Sequence, residues 1–145
     1  MSYTFTDLAF KLQKLSASLE KKASDNAVEV ALAIVDDLTT VTPVDTSKAE
    51  SNWVVSLGTP ATQEIEAHVP GYFGWTAAES RRIAQANARK VLQNKRPGVK
   101  VFVSNLTNYI EQLNEGSSRQ EPAGFVERAV LIGRLKAKSL NRKKG

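Results

Sequence analysis

The sequence predicts an α+β fold: a long N-terminal helix, a small and mainly antiparallel sheet of three to four strands, and a central basic helix and a C-terminal helix packed on that sheet. Three observations carry this prediction. Apolar residues recur at helical spacing over residues 8–38, short segments of alternating or β-branched residues follow, and two amphipathic segments lie among and after them. A turn-rich connection at residues 42–53 separates the helical part from the strand-forming part.

Length and composition indicate one domain. At 145 residues the chain can bury a core of its own but cannot form two domains of ordinary size. We expect a domain over residues 1–138, with an elaborated loop and helix at 70–98, and a basic flexible tail over 139–145. The absence of cysteine excludes disulfides and thiolate zinc sites. No secretory pattern or membrane span is evident, so we expect a soluble intracellular protein without membrane contact.

The net charge of +5 is concentrated in two segments. Residues 76–100 carry seven Lys and Arg against the single acid Glu79, and residues 134–145 carry six with no acid. Basic segments of this kind face water, an acidic protein or nucleic acid, and the charge pattern leaves all three open.

The first element is a long helix. Its apolar face consists of Leu8, Leu12, Leu15, Leu19, Ala23, Ala27, Val30, Ala31, Ile34, Val35 and Leu38. Ser24, Asp25 and Asn26 form helix poorly, so residues 7–40 are expected to form either one helix or two. A continuous helix of about 45–50 Å is longer than such a domain is wide, so part of it should reach a neighbour.

The connection at residues 42–53 combines several turn and cap residues. Pro43 ends the preceding helix, and Asp45 is expected to order the turn through its carboxylate. Ser47 and Glu50 fit a capping box that starts one helical turn at 48–51. The candidate structural residues here are Pro43, Asp45, Thr46, Ser47, Glu50 and Trp53, the last of which begins the first strand.

Residues 53–57 and 64–69 are predicted to pair as antiparallel strands with one solvent-exposed face. The alternation places His68, the only histidine, on the outer face beside Glu64 and Glu66. No residue at ligand spacing accompanies it, so an ordinary surface histidine is favoured over a metal ligand or a catalytic base.

Residues 70–75 form an aromatic loop before a basic helix that begins at its expected N-cap, Thr76, and runs to Gln93. The aromatic side chains either fold back as a local lid, which we favour, or are displayed as binding anchors. With the nearby basic residues they could also hold single-stranded nucleic acid. The candidate interface residues of the chain are Tyr72, Phe73, Trp75, Arg81, Arg82, Arg89 and Phe102.

The last third alternates strand, helix and helix. Residues 99–105 form the strongest strand, and Phe102 lies opposite its valines, which indicates that a helix, a loop or a partner covers that face. A short helix at 108–115 is closed by Gly116 in the left-handed conformation. After a polar loop at 117–121, Pro122 suits the first turn of a helix that ends near Leu135, beyond which the tail should fray.

No arrangement of residues typical of catalysis is found. The glycines match neither dinucleotide nor P-loop spacing, and no serine stands in a nucleophile elbow. Asp36 and Asp37 point about 100° apart on a helix, which disfavours a magnesium site. We therefore predict no enzyme, metal or cofactor. A nucleic-acid module that uses Arg81, Arg82 and Arg89 and a small hydrolase that uses His68 remain alternatives.

Residues 42–49, TPVDTSKA, and residues 105–126, with Tyr109, Leu113, Gly116, Pro122 and Gly124, together resemble the tail-component, or tail-completion, proteins of long-tailed bacteriophages. Residues 42–49, TPVDTSKA, resemble a TPVDTG motif followed by a basic residue, with Ser47 in place of the glycine. Residues 105–126 are similar to the family pattern NN-x-x-Y-I-x-x-L-x-x-G-x-S-x-Q-x-P-x-G-x-V. The matching positions of that second segment include Tyr109, Leu113, Gly116, Pro122 and Gly124.

This resemblance implies a structural virion protein of the phage neck, assembled in the host cytoplasm. Members are thought to form rings, hexameric or dodecameric, between the head connector and the tail. Their partners are copies of themselves, connector or adaptor proteins and tail tube or terminator proteins, with DNA passing through the channel. If the family glycine takes a positive φ, Ser47 is strained; if it only starts a helix, Ser47 is an N-cap.

Overall fold

The computed structural model describes residues 5–116 and 123–142, with side chains from residue 20 onward. Within them the chain is α+β, with five helices and one two-stranded antiparallel sheet. In chain order the elements are α1 (Phe5–Val41), α2 (Lys48–Ser51), β1 (Val54–Leu57), α3 (Ala77–Leu92), β2 (Val101–Ser104), α4 (Ile110–Asn114) and α5 (Phe125–Arg142).

Helix α1 is continuous over 37 residues, about 55 Å at 1.5 Å per residue. The break considered at residues 24–26 does not occur. Lys21 pairs with Asp25 at 2.9 Å, and the buried Ser24 accepts a hydrogen bond from Lys95 Nζ at 3.0 Å. These contacts support helix where the local sequence favours it weakly, and α1 ends just before Pro43, as predicted.

Among the described residues the sheet has two strands, so the predicted three to four strands are not confirmed. Val55 pairs with Val103 and Leu57 with Val101, while Ser56 pairs with Phe102 on the opposite face. The segment 64–69 is not a strand, because side chains take its backbone groups. Asn52 binds both the N–H and the carbonyl of Ile65, at 2.8 and 2.7 Å.

The core lies where α1, α3 and the inner sheet face meet. Its buried members are Ala31, Val35, Val55, Ala88 and Leu92, with Val101 and Val103 packed against them. A second cluster joins Leu38, Trp53, Phe125 and Ala129 at the other side of α1. Helix α1 therefore contributes apolar residues to both clusters and is the central element of the described fold.

Helix α5 runs antiparallel along α1. Phe125 packs near Leu38, whereas Lys136 lies 3.9 Å from Glu29, which is nine residues nearer the start of α1 than Leu38. The helix continues to Arg142, so the expected end near Leu135 and the frayed tail beyond it are wrong for residues 136–142. The leucines at positions 8–19, the loop at 117–121, Pro122 and residues 143–145 lie outside the described residues or side chains.

Candidate functional site

The two segments singled out in the sequence come together around one cleft of about 450 Å³, here called the turn cleft. Its walls are residues 43–49 on one side and Tyr109 and Leu113 on the other. Asn105 ties the two sides together by donating from Nδ2 to the Ala49 carbonyl at 2.8 Å. Burial raises the pKa of the Tyr109 hydroxyl above its ordinary value. Segments 60 residues apart thus form a single local structure.

Ser47 stands at the N-cap position of α2, but its backbone is strained and its side chain does not cap the helix. Its φ is 70°, in the left-handed region, and its side chain makes no cap hydrogen bond to α2. The hydroxyl is buried and lies 2.9 Å from Thr76 Oγ1 instead. The capping box with Glu50 is therefore wrong, and the alternative in which Ser47 carries the strain of a glycine position is the observed one.

Asp45 orders the aromatic loop rather than its own turn. Its Oδ1 accepts a hydrogen bond from the Phe73 N–H at 2.7 Å, and its carbonyl accepts one from the Gly74 N–H at 2.9 Å. Phe73 has a φ of 56° and Gly74 a φ of 76°. Asp45 therefore accepts two hydrogen bonds that hold a strained loop against the TPVDTS turn.

The aromatic side chains of this loop are displayed, so the favoured lid is wrong. Tyr72, Phe73 and Trp75 are 69%, 81% and 82% exposed. The Phe73 and Trp75 rings lie 6.0 Å apart between centroids at 56° to one another. Three neighbouring exposed aromatic side chains on a loop held by hydrogen bonds form an apolar patch of the kind found at protein contacts. We call Tyr72, Phe73 and Trp75 the aromatic patch.

Next to the aromatic patch lies a second depression of about 420 Å³, the Glu50 cleft, between the end of α1, α2 and the start of α3. Phe73 and Arg81 line it together with Glu50. Glu50 is 1% exposed, and its Oε1 has no hydrogen-bond partner among the described residues. Burial raises the pKa of the Glu50 carboxyl to about 7, and the Arg81 guanidinium limits that rise.

The remaining interface candidates are spread out. Arg82 is exposed on α3, and Arg89 lies near the other end of that helix, where its Nη2 is 3.3 Å from Asp36 Oδ2. Phe102 is partly buried on the sheet face that carries Ser56 and Ser104. Arg81 lines the Glu50 cleft together with Phe73, whereas Arg89 pairs with Asp36 near the other end of α3.

His68 is half-buried, and the prediction that it points outward is wrong. It lines a cavity of about 160 Å³ beside Trp53 and Ala84, and its backbone N–H donates to Ser51 Oγ at 3.0 Å. Burial lowers the pKa of its imidazole. Across the described residues, no group of three His, Asp or Glu side chains is arranged to hold a metal ion.

The glycines of the second segment have left-handed backbone conformations. Gly116 has a φ of 96°, as predicted for the end of α4, and Gly124 has a φ of 86°. Asn114 connects the two ends of this segment: its carbonyl accepts from the Gly124 N–H at 2.7 Å and its Oδ1 from the Val126 N–H at 2.9 Å. Tertiary contact thus positions α5 behind Leu113.

Several polar side chains make hydrogen bonds that the sequence did not predict, among them those of Thr42, Ser80 and two further residues. Thr42 Oγ1 accepts from Trp53 Nε1 at 2.7 Å, and Ser80 Oγ binds both backbone groups of Val69, at 3.0 and 3.1 Å. The other two are Thr76 and Asn52, already described. One signal in the sequence could have identified such a residue: a polar residue directly before an apolar strand. Only Asn52 shows this signal.

Comparison with protein-family models, with curated proteins and with solved structures yields no match. Nor does any helix in the described ranges combine the length and apolar character needed to cross a membrane. The turn cleft, the aromatic patch and the Glu50 cleft are the surface features of the described residues that bear on function.

Proposed function

We propose that this protein is a structural subunit of the phage neck, a tail-completion or head–tail joining protein that assembles as a ring between the head connector and the tail. One observation carries the proposal. The two segments that resemble the tail-completion family, residues 43–49 and the Tyr109–Leu113 region, form one cleft and are joined by the Asn105–Ala49 hydrogen bond. Because these two motifs lie together in the fold, we infer that they serve one role.

The neighbouring surface supports a role in assembly. Asp45, inside the TPVDTS turn, holds the loop that displays Tyr72, Phe73 and Trp75. Because the loop is fixed before any partner binds, these aromatics would lose little conformational freedom on contact. Exposed aromatic anchors near arginine are typical of protein interfaces, and a 55 Å helix gives a subunit reach towards its neighbours.

Native mass spectrometry and negative-stain microscopy of the purified chain test the proposal. We expect rings of six or twelve copies at high protein concentration. The triple variant Tyr72→Ser, Phe73→Ser, Trp75→Ser should remain folded and lose assembly, because the altered side chains are exposed in the single chain. Leu106→Ser, at a residue 42% exposed elsewhere, is the matched control and should assemble. A chain that stays monomeric, alone and with a connector ring, contradicts the proposal.

A nucleic-acid-binding module is the second candidate, and one feature favours it. Arg134, Lys138 and Arg142 are exposed at spacings of four residues on α5, which gives one basic helix face. Binding through phosphates predicts a DNA affinity that falls steeply with salt. An affinity that is weak and nearly independent of salt removes this candidate without affecting the ring proposal.

A further inference from the structure

In the Glu50 cleft, Glu50 Oε1 has no hydrogen-bond donor among the described residues, although Arg81 lines the same cleft. Glu50 is buried with Oε1 unpartnered among the described residues, and the last turn of α1, which forms another wall, contains no basic residue to balance its negative helix end. Residues 23–47 contain five acids and no Lys, Arg or His. Arg81 lines the cleft but makes no hydrogen bond to Oε1.

A buried carboxylate oxygen without a donor is costly, and a charged donor relieves that cost best. The chemistry of the cleft therefore selects an ammonium or guanidinium group on a flexible stem. Phe73, 81% exposed at the cleft wall, offers an apolar and π surface for such a stem and for the residues around it. The cleft and the aromatic patch together call for a partner surface that is part apolar and part basic.

The outer face of α5 has this composition. Leu131 and Leu135 are 52% and 55% exposed, and Lys138 and Arg142 follow at seven and eleven residues from Leu131. These spacings place all four within one narrow stripe, about 16 Å long. The second half of the stripe borders a shallow depression of about 310 Å³. We call these four residues the α5 stripe.

Within one chain the stripe and the cleft are far apart. Lys136 lies beside Glu29, which is twelve residues, or about 18 Å, before the end of α1 at Val41. Because α5 runs antiparallel to α1, the residues after Lys136 extend farther from the Glu50 cleft. Contact between the two surfaces therefore requires a second copy of the chain.

We propose that the α5 stripe of one copy docks on the aromatic patch and Glu50 cleft of the next. Leu131 and Leu135 cover the exposed aromatics, and Lys138 or Arg142 enters the Glu50 cleft, where its positive charge balances the negative charge of the Glu50 carboxylate. The contact joins two different surfaces, so it is head-to-tail and closes into a ring or extends as a filament. This inference rests on the proposed ring function and names the interface that builds the ring.

Directed cross-linking tests the interface, since the chain has no cysteine of its own. Thr40→Cys places a thiol on the cleft wall, and Ser139→Cys places one beside the stripe. Mild oxidation of a mixture of the two variants should give a disulfide-linked pair that neither variant gives alone. A chain carrying both changes should give a ladder of linked copies. Gln93→Cys with Ser139→Cys is the matched control, because Gln93 follows the far end of α3.

The charge pair is tested by Glu50→Gln, which keeps the shape and removes the negative charge. We expect association to weaken on the order of tenfold or more, with the folded chain retained in thermal unfolding. Rings that form without the Thr40–Ser139 link, or that tolerate Glu50→Gln, overturn this interface and leave the proposed function standing. A chain that never assembles overturns both.

Discussion

Buried polar side chains, each bound to a distant backbone group, hold the loops of this protein. Asn52 binds both backbone groups of Ile65, and Ser80 does the same for Val69. Ser51 accepts from the His68 N–H at 3.0 Å. A segment whose backbone is satisfied in this way has no need of a sheet partner. The stability of the region between β1 and α3 thus depends on a few individual residues.

Trp53 combines apolar burial with a hydrogen bond. It is 7% exposed, packs with Leu38 and Phe125, and donates to Thr42 Oγ1. We expect Trp53→Ala to lower the free energy of unfolding by about 3–5 kcal/mol in denaturant titrations. Trp53→Phe keeps most of the burial and should cost less. A near-neutral Trp53→Ala would place this side chain at a contact between subunits instead of the core.

Ser47 carries backbone strain that glycine would relieve. Ser47→Gly and Ser47→Ala both remove the hydroxyl that meets Thr76, but only glycine tolerates a φ of 70° without a steric cost. We expect the glycine variant to be more stable than the alanine variant by about 1–2 kcal/mol in chemical unfolding. Equal stabilities would show that the chain relaxes at this position.

Glu50 makes stability depend on pH. Its pKa is about 7 in the folded chain against an ordinary 4.5, so the folded state keeps the proton to higher pH than the unfolded state does. The stability that the protonated Glu50 carboxyl contributes is fully present below about pH 4.5 and is lost as the pH rises through about 7. The gap between these pKa values corresponds to about 3 kcal/mol. Glu50→Gln should therefore be more stable than the parent at pH 8, measured by thermal unfolding.

The control for this titration is His68, whose effect has the opposite sign. Burial lowers the pKa of the His68 imidazole. The stability that the neutral imidazole contributes is therefore present above the ordinary pKa of 6.5 and is lost as the pH falls. In a His68→Gln background the decline in stability between pH 5 and 8 should persist and become steeper, because the opposing contribution of His68 is removed. A decline that disappears with His68→Gln would contradict the assignment to Glu50.

Among the elements, the contact between α1 and α5 is held close by Gly133. A Cβ at this position would lie 2.5 Å from Ile34 Cδ1, nearer than side-chain atoms approach. Glycine inside a helix normally costs about 1 kcal/mol relative to alanine. Its presence at this crossing is explained by the approach of the two helices, which packs Phe125 and Ala129 against Leu38.

Gly133→Ala should therefore destabilise the chain by about 1–3 kcal/mol, although the change raises helix propensity. Ile34→Val in the same chain makes room for the new methyl group and should recover part of the loss. Denaturant unfolding of the two single variants and the double variant gives the coupling between the sites. If Gly133→Ala is stabilising, the helices move apart without penalty and the close contact is not required.

Across the whole molecule, charge is segregated. Acids dominate residues 23–47, which include the end of α1, and bases dominate the end of α5, which lies beside the middle of α1. The opposite charges of the Glu50 cleft and the α5 stripe lie apart within one copy, so they attract neighbouring copies to one another. The same separation explains how a chain with net charge +5 can offer both surfaces of a head-to-tail contact.

Self-association should consequently weaken as salt is added. Between about 0.1 and 1 M salt the screening length falls from about 10 to about 3 Å, which reduces attraction between exposed charges. Sedimentation velocity should show fewer assembled copies at high salt, while thermal unfolding of the single chain changes little. Assembly that strengthens with salt would point to a purely apolar interface centred on the aromatic patch.

Local chemistry allowed several features to be predicted from the sequence. Pro43 ends α1, a short helix follows at Lys48–Ser51, residues around Val101–Ser104 form a strand, and Gly116 is left-handed. Each follows from the residue itself or from its immediate neighbours. The errors arose where a remote group competes: Asn52 takes the backbone of Ile65, Thr76 takes the hydroxyl of Ser47, and Asp45 takes the N–H of Phe73.

The sequence by itself determined the α+β class, the long helix, the positions of the turns and the two segments that resemble a tail-completion protein. Periodicity, proline, glycine and motif spacing act over a few residues, so their effects can be predicted from the sequence without knowledge of the fold. Only the tertiary structure decided that these segments share the turn cleft, that the aromatics face outward and that Glu50 is buried beside Arg81. Burial and remote hydrogen bonds depend on which elements pack together, and no local pattern encodes that choice.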